Sequence, residues 1–225
     1  MIRRGAQRLI AFFWPQLDLF APASPPTPVR APMPLPATPE ELAGDEGRWR
    51  WTRPWLVSPH RARARRELDF VRAHFPELEG VTVTIGMTKR RTILGLASMG
   101  EEPALWIRPR IIHRFVIAHE FVHLLQARSL VPGGEKAADL YALARTPHVI
   151  DVAPSYLAIP RPLHAPPTTG RTPRLAPGVA ELLHEEARRA IAANRGKTAR
   201  GAVRRFEQAL VAGGRESAGA ASAAR

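Results

Sequence analysis

Apolar residues recur at helical spacing in five stretches of this 225-residue chain. The clearest stretch is 111–125, where apolar side chains on every turn predict a well-packed helix. A Pro-Gly-Gly reversal at 132–134 precedes a second apolar pattern that begins at Glu135, so these two helices are expected to pack antiparallel. The other predicted helices cover about 58–74, 179–193 and 199–211.

Short runs of alternating and β-branched residues predict strands. They lie at 81–85, about 92–97 and 104–107. Pro103 and Pro109 bound the third strand, which favours an edge position because proline donates no hydrogen bond to a ladder. We therefore expect an α+β fold, with a small and mostly antiparallel sheet of about three strands packed on the helix at 111–125.

Composition divides the chain into parts of different character. We expect a disordered, proline-rich tail at 1–48, a folded domain at 49–160, a proline-rich linker at 161–176, a basic helical extension at 177–212 and a disordered tail at 213–225. No stretch approaches the roughly 20 apolar residues of a membrane span, so no membrane association is expected. The alternative is a secretory signal or anchor formed by the short apolar run near the N-terminus.

The candidate chemistry lies in the helix at 111–125, which contains His119-Glu120-Phe121-Val122-His123. Two histidines four residues apart share one helix face, so both imidazoles can reach one metal ion. Glu120 then projects toward the open coordination position, where a general base would act. The alternative is that both histidines are ordinary core residues.

A third protein ligand is expected at the start of the second helix. Glu135 lies in its first turn and would face His119 and His123 across the reversal. Asp139 follows one turn later, where it could accept the second ring N–H of a ligand histidine. The alternative is that these carboxylates only complement the helix dipole. The chain has no cysteine, which excludes thiolate ligands and disulfides and agrees with a cytoplasmic location.

The pattern H-E-x-x-H followed by E-x-x-A-D resembles that of gluzincin metallopeptidases, and 60–160 is similar to minimal zincin domains of the SprT/Spartan-like kind. The resemblance implies zinc-dependent peptide hydrolysis with one Zn²⁺ ion, Glu135 as third ligand and Asp139 behind a ligand histidine. The chain departs from that pattern in two respects. SprT-type proteins usually use a third histidine, and the interval between His123 and Glu135 is shorter than in most gluzincins.

The expected mechanism follows from this arrangement. Zinc would lower the pKa of a bound water from about 15.7 toward ~7, and Glu120 would accept its proton and pass it to the leaving amine. Tyr156, in the irregular segment after the second helix, is a candidate for stabilising the oxyanion. Alternatively, its ring packs against the domain.

A formal net charge of +13, from 33 Lys+Arg against 20 Asp+Glu, indicates a nucleic-acid partner bound without sequence specificity. A GC-rich genome, which also enriches arginine, is the competing explanation. The candidate phosphate contacts are Arg61, Arg63, Arg65, Arg66, Lys89, Arg90, Arg91, Arg188, Arg189, Arg204 and Arg205. Alternatively, these runs are ordinary solvated faces.

The segment 16–20, Gln-Leu-Asp-Leu-Phe, resembles the peptide by which bacterial proteins dock on the replication sliding clamp. Leu17, Leu19 and Phe20 would fill apolar pockets, and Gln16 would fix orientation by hydrogen bonds. The alternative is an apolar segment that folds over the domain.

These observations predict a zinc endopeptidase that is associated with DNA and recruited by the clamp to degrade DNA-bound proteins, a role in DNA repair. One alternative is a regulatory metalloprotease that cleaves a specific partner without DNA. Another is a non-catalytic DNA- or clamp-binding protein, although Glu120 argues against it because a structural metal site needs no general base.

Overall fold

The computed structural model describes residues 9–13, 42–45, 47–88, 93–99, 102–165, 175–194 and 198–223. The chain forms two compact units, one from 1–64 and 80–112 and the other from 65–79 and 113–225. The helices are α1 (Arg53–Leu56), α2 (Arg61–Arg72), α3 (Arg114–Ala127), α4 (Glu135–Leu143), α5 (Val179–Ala192) and α6 (Ala199–Ala223).

The first unit is built on a mixed sheet. Its strands are β1 (Leu9–Phe13), β2 (Leu42–Asp45), β3 (Trp49–Thr52), β4 (Val83–Met87), β5 (Ile93–Met99) and β6 (Pro103–Ile107). Their order is β1-β5-β6-β4-β3-β2. The pairs β3–β4 and β4–β6 are parallel, whereas β1–β5, β5–β6 and β2–β3 are antiparallel.

The broad α+β class is therefore confirmed, but the expected number and orientation of strands are wrong. In the four central strands of the sheet, β5-β6-β4-β3, two of the three pairings are parallel. The pattern-based prediction missed β3, which is short and rich in tryptophan. Because a helix-containing connection separates β3 from β4, these strands can pair in parallel, which a tight hairpin does not allow.

The strand β6 is also not at an edge, contrary to expectation. It lies between β5 and β4. Pro103 is compatible with this interior position because it is the first residue of the strand, where a missing N–H costs least. Pro109 lies beyond the strand end. The prolines mark where β6 begins and ends, and they do not mark a free edge.

Buried tryptophans form much of the core of this unit. Trp49, Trp51 and Trp55 are at most 1% exposed, and the rings of Trp51 and Trp55 meet edge-on at 5.8 Å. The guanidinium of Arg61 lies 5.5 Å from the Trp51 ring centre. These indoles hold the segment before α2 to the sheet, so they are core residues and not platforms for stacked bases.

The second unit is helical, and α4 contacts α3, α5 and α6. Every residue of α3 from 115 to 125 is buried, and all of them except His119, Glu120 and His123 are apolar. Phe121 meets Phe75 edge-on at 5.4 Å. Nδ1 of His184 on α5 donates to the carbonyl of Leu143 at the end of α4, 2.9 Å away. The helices α5 and α6 belong to the same compact unit as the candidate metal site.

Ordered elements also occur within segments expected to be disordered tails. Leu9–Phe13 pairs with β5 and Leu42–Asp45 pairs with β3, so these strands form the two ends of the sheet. At the other end, α6 continues to Ala223, and the alanines there have the highest helix propensity. Among the described residues, no helix combines the length and the apolarity that a bilayer crossing requires.

Replacing Gly86 by alanine tests the packing between β4 and β6. Gly86 pairs with Trp106, and a Cβ at this glycine would clash with Nε1 and Cδ1 of the indole. Because Trp106 is 6% exposed, the ring has little room to move, and Gly86→Ala should lower the free energy of unfolding by about 1–3 kcal/mol. Urea denaturation measures this change.

Gly133→Ala is the matched control. A Cβ at Gly133 meets no atom within 4 Å, so its effect should stay within about 0.5 kcal/mol. Equal stabilities for the two variants would contradict the described packing of Trp106.

Candidate metal centre

The helix α3 presents three polar side chains from its buried middle. His119, Glu120 and His123 are all fully buried. Two backbone N–H groups at the start of α3 have no partner within the helix. The carboxylate of Asp151 accepts from both, those of Arg114 and Phe115, at 3.1 Å each. A carboxylate at a helix N-terminus also complements the helix dipole. The sequence pattern did not identify Asp151, which lies in an irregular segment.

The reversal before α4 determines where Glu135 lies. Gly134 precedes the helix with φ of +106°, a conformation that favours glycine because it has no Cβ. Glu135 is the first residue of α4, and its side chain is 30% exposed. This reversal brings Glu135 to the two histidines of α3, as expected from the sequence.

The three predicted ligands converge. Nε2 of His119 and Nε2 of His123 are 3.0 Å apart, and Oε2 of Glu135 lies 3.2 Å and 3.3 Å from them. One donor atom from each residue lies within 4.8 Å of the other two, so this group could hold a metal ion. Two imidazoles and one carboxylate are a donor set that suits zinc and leaves a fourth position for water or substrate.

Asp139 lies behind the first histidine. Its Oδ1 is 2.7 Å from Nδ1 of His119, and its Oδ2 accepts from the backbone N–H of Tyr156 at 2.8 Å. The carboxylate is fully buried and orients the ring of His119 so that Nε2 faces Glu135 and His123. This is the position that the sequence predicted for Asp139.

Gln126 has the corresponding place behind the second histidine. Its Oε1 lies 2.7 Å from Nδ1 of His123. The H-E-x-x-H pattern does not include Gln126, although its position three residues after His123 on the same helix was an available signal.

The electrostatics of the site favour positive charge. Burial by itself would lower the pKa of His119, but hydrogen bonds with Asp139 and Glu135 and the nearby charge of Glu120 raise this pKa to about 10. Burial opposes ionisation of Glu135, yet its hydrogen bonds with His119 and His123 lower the pKa of this carboxyl to about 2. The potential that holds a proton here would also attract a divalent cation, so the residues fit a metal centre on charge as well as on geometry.

Tyr156 lies beside the same histidine. Its ring stacks on His119 with centroids 5.6 Å apart and planes 17° from parallel. This contact agrees with the interpretation that the tyrosine ring packs against the domain. The stacked ring helps to fix the position of His119. An oxyanion role for its hydroxyl stays a prediction.

Eight of the candidate phosphate-binding arginines lie on three helices. On α2, Arg63 and Arg66 are exposed and Arg65 lies 3.6 Å from Asp69, while Arg61 covers Trp51. Arg188 and Arg189 on α5 face Glu185 and Glu186 at 3.9 Å and 2.7 Å, and Arg204 and Arg205 on α6 are exposed. The other predicted contacts lie outside the described residues. They are Lys89, Arg90 and Arg91, and the proposed clamp peptide with Gln16, Leu17, Leu19 and Phe20.

Comparison of the chain with family models, curated proteins and solved structures found no match.

Asp139→Asn tests whether the carboxylate behind His119 supports metal binding. An asparagine has one acceptor oxygen where Asp139 uses two, so either the His119 ring or the Tyr156 N–H would face an NH₂ group. Zinc affinity, measured by competition with a chromophoric chelator, should fall by about 10–100-fold. Asp69→Asn makes the same chemical change on the surface of α2 and should leave the affinity unaltered. Wild-type affinity in Asp139→Asn would contradict this role.

Proposed function

We propose that this chain is a zinc-dependent endopeptidase of the gluzincin type, built on a minimal zincin-like scaffold. The observation that supports it best is the convergence of His119 and His123 of α3 with Glu135 of α4, with donor atoms 3.0–3.3 Å apart. The helix α3 also carries Glu120. A structural metal site would not need a buried glutamate between its two histidines. The pattern H-E-x-x-H with E-x-x-A-D supports the same assignment.

His119, His123 and Glu135 would hold the ion in this proposal, and Asp139 and Gln126 would orient the two imidazoles. Zinc, when bound, would polarise a peptide carbonyl and lower the pKa of a water molecule. Glu120 supplies the proton transfer: one carboxylate oxygen accepts a proton from the attacking water and then delivers it to the nitrogen of the leaving amine. Tyr156 keeps the His119 ring in place through their stacked contact.

Association with DNA is a second part of the proposal. The net charge of +13 and the exposed arginines of α2 favour nonspecific contact with phosphates. The Q-L-x-L-F-like segment at 16–20 would bring the protein to a sliding clamp. Together these features suit a protease that degrades DNA-bound proteins.

A regulatory protease that cleaves one partner without DNA is the competing function. One observation favours it, namely that Arg65, Arg188 and Arg189 each lie close to an acidic residue on their own helix. Such pairs reduce the charge available to a phosphate backbone.

Glu120→Gln tests the catalytic mechanism. The amide occupies nearly the same volume but cannot accept the proton, so degradation of casein or histones should fall by about 10²–10⁴-fold while one zinc ion per chain is retained. Metal analysis and the protease assay are made on the same preparation. Glu181→Gln, an exposed position in the first turn of α5, is the matched control and should keep full activity. Wild-type hydrolysis by Glu120→Gln would refute the mechanism.

Salt dependence of DNA binding separates the two functions. Combining Arg63→Ala and Arg66→Ala should weaken binding to duplex DNA in a fluorescence anisotropy titration, because both side chains are exposed. The slope of log affinity against log salt should fall by about 1 for each lost phosphate contact. Combining Arg188→Ala and Arg189→Ala should change the slope less, because both residues face glutamates. Absence of salt-dependent binding by the wild-type protein would favour the regulatory protease.

A further inference from the structure

We propose that Gln126 is a positioning residue that couples two metal ligands on different helices, His123 on α3 and Glu135 on α4. This inference rests on the metal centre of the proposed function. It concerns the way in which that centre is assembled, which the H-E-x-x-H pattern does not specify.

The hydrogen bonds of Gln126 define the orientation of its amide. Nε2 of Gln126 donates to the carbonyls of Pro132 and Gly134, at 2.8 Å and 3.1 Å. Carbonyl oxygens can only accept, so the NH₂ group must face the reversal and Oε1 must face the histidine. Oε1 lies 2.7 Å from Nδ1 of His123.

This orientation sets the tautomer of His123. Since Oε1 is an acceptor, Nδ1 of His123 carries the proton and donates it. In the neutral ring the lone pair is then on Nε2, which lies 3.3 Å from Oε2 of Glu135 and 3.0 Å from Nε2 of His119. The amide therefore directs the ligand nitrogen of His123 into the centre.

The other end of the same amide holds the reversal that presents Glu135. The carbonyl of Gly134 accepts from Gln126 and also from the N–H of Ala138, the first helical bond of α4, at 2.9 Å. Gly134 has a positive φ and immediately precedes Glu135. By holding the peptide group of Gly134, Gln126 therefore fixes the orientation of Glu135, the first residue of α4.

The two histidines are thus supported in different ways. A buried carboxylate, Asp139, orients His119, whereas a neutral amide orients His123. A carboxylate at 126 could accept from His123, but it would place negative charge against two carbonyl oxygens. Only a group with an acceptor at one oxygen and two donors at the neighbouring nitrogen satisfies all three partners.

Gln126→Met and Gln126→Glu in the full-length protein test this role, with cobalt(II) alone as the probe. Methionine keeps the approximate length and loses all three hydrogen bonds, so cobalt affinity should fall by about 10–100-fold and the visible absorption spectrum of the bound cobalt should change. Gln126→Glu keeps the acceptor and loses both donors, so it should also bind more weakly than wild type, and it serves as the test if Gln126→Met does not fold. Gln208→Met, an exposed position on α6, is the matched control and should bind as the wild type does.

Denaturation of the metal-free proteins separates positioning from stability. If the variants at 126 lose stability but bind cobalt with wild-type affinity and spectrum, Gln126 is merely structural and the proposal is overturned. If the wild-type protein binds no cobalt, both the metal centre and the proposal fail. If it binds metal but hydrolyses no peptide, only the peptidase function fails, and weakened binding by the variants at 126 still supports the coupling.

Discussion

The close approach of two imidazoles, those of His119 and His123, is the constraint on which the site depends. Their Nε2 atoms lie 3.0 Å apart in a buried place, and Oε2 of Glu135 lies within 3.3 Å of both. Two nitrogen lone pairs at that separation repel unless a proton or a metal cation lies between them. The carboxylates of Asp139 and Glu120 add negative potential, so the surroundings favour positive charge there.

Much of the second unit serves to hold these donors in place. Asp151 completes the start of the helix that carries both histidines. Glu207 on α6 accepts from Nζ of Lys136 at 2.8 Å and from the backbone N–H of Ala158 at 3.2 Å. It therefore ties the first turn of α4 and the segment after Tyr156 to the C-terminal helix, which makes α6 part of the support for the site.

The candidate site was more predictable than the sheet, and the reason is the distance along the chain over which each contact acts. His119 and His123 are one helical turn apart, so helix geometry predicts that they meet, and the short reversal that follows predicts that Glu135 faces them. Asp151 accepts a hydrogen bond from Phe115, 36 residues earlier in the chain, and Glu207 accepts one from Lys136, 71 residues earlier. No local sequence pattern connects these carboxylates to their partners. The parallel pairing of β3 with β4 likewise follows from the path of the intervening segment and not from alternation within either strand.

The sequence by itself determined the candidate ligands, the candidate general base between them, the broad α+β class and the helices that carry these residues. These are properties of residue type and short-range spacing. Only the tertiary structure decided the strand order, the inclusion of α5 and α6 in the unit that holds the ligands, and the identity of the groups behind each histidine. Those features depend on which distant side chains can satisfy buried polar atoms, and such atoms take their partners from whichever segment the packing brings within about 3 Å.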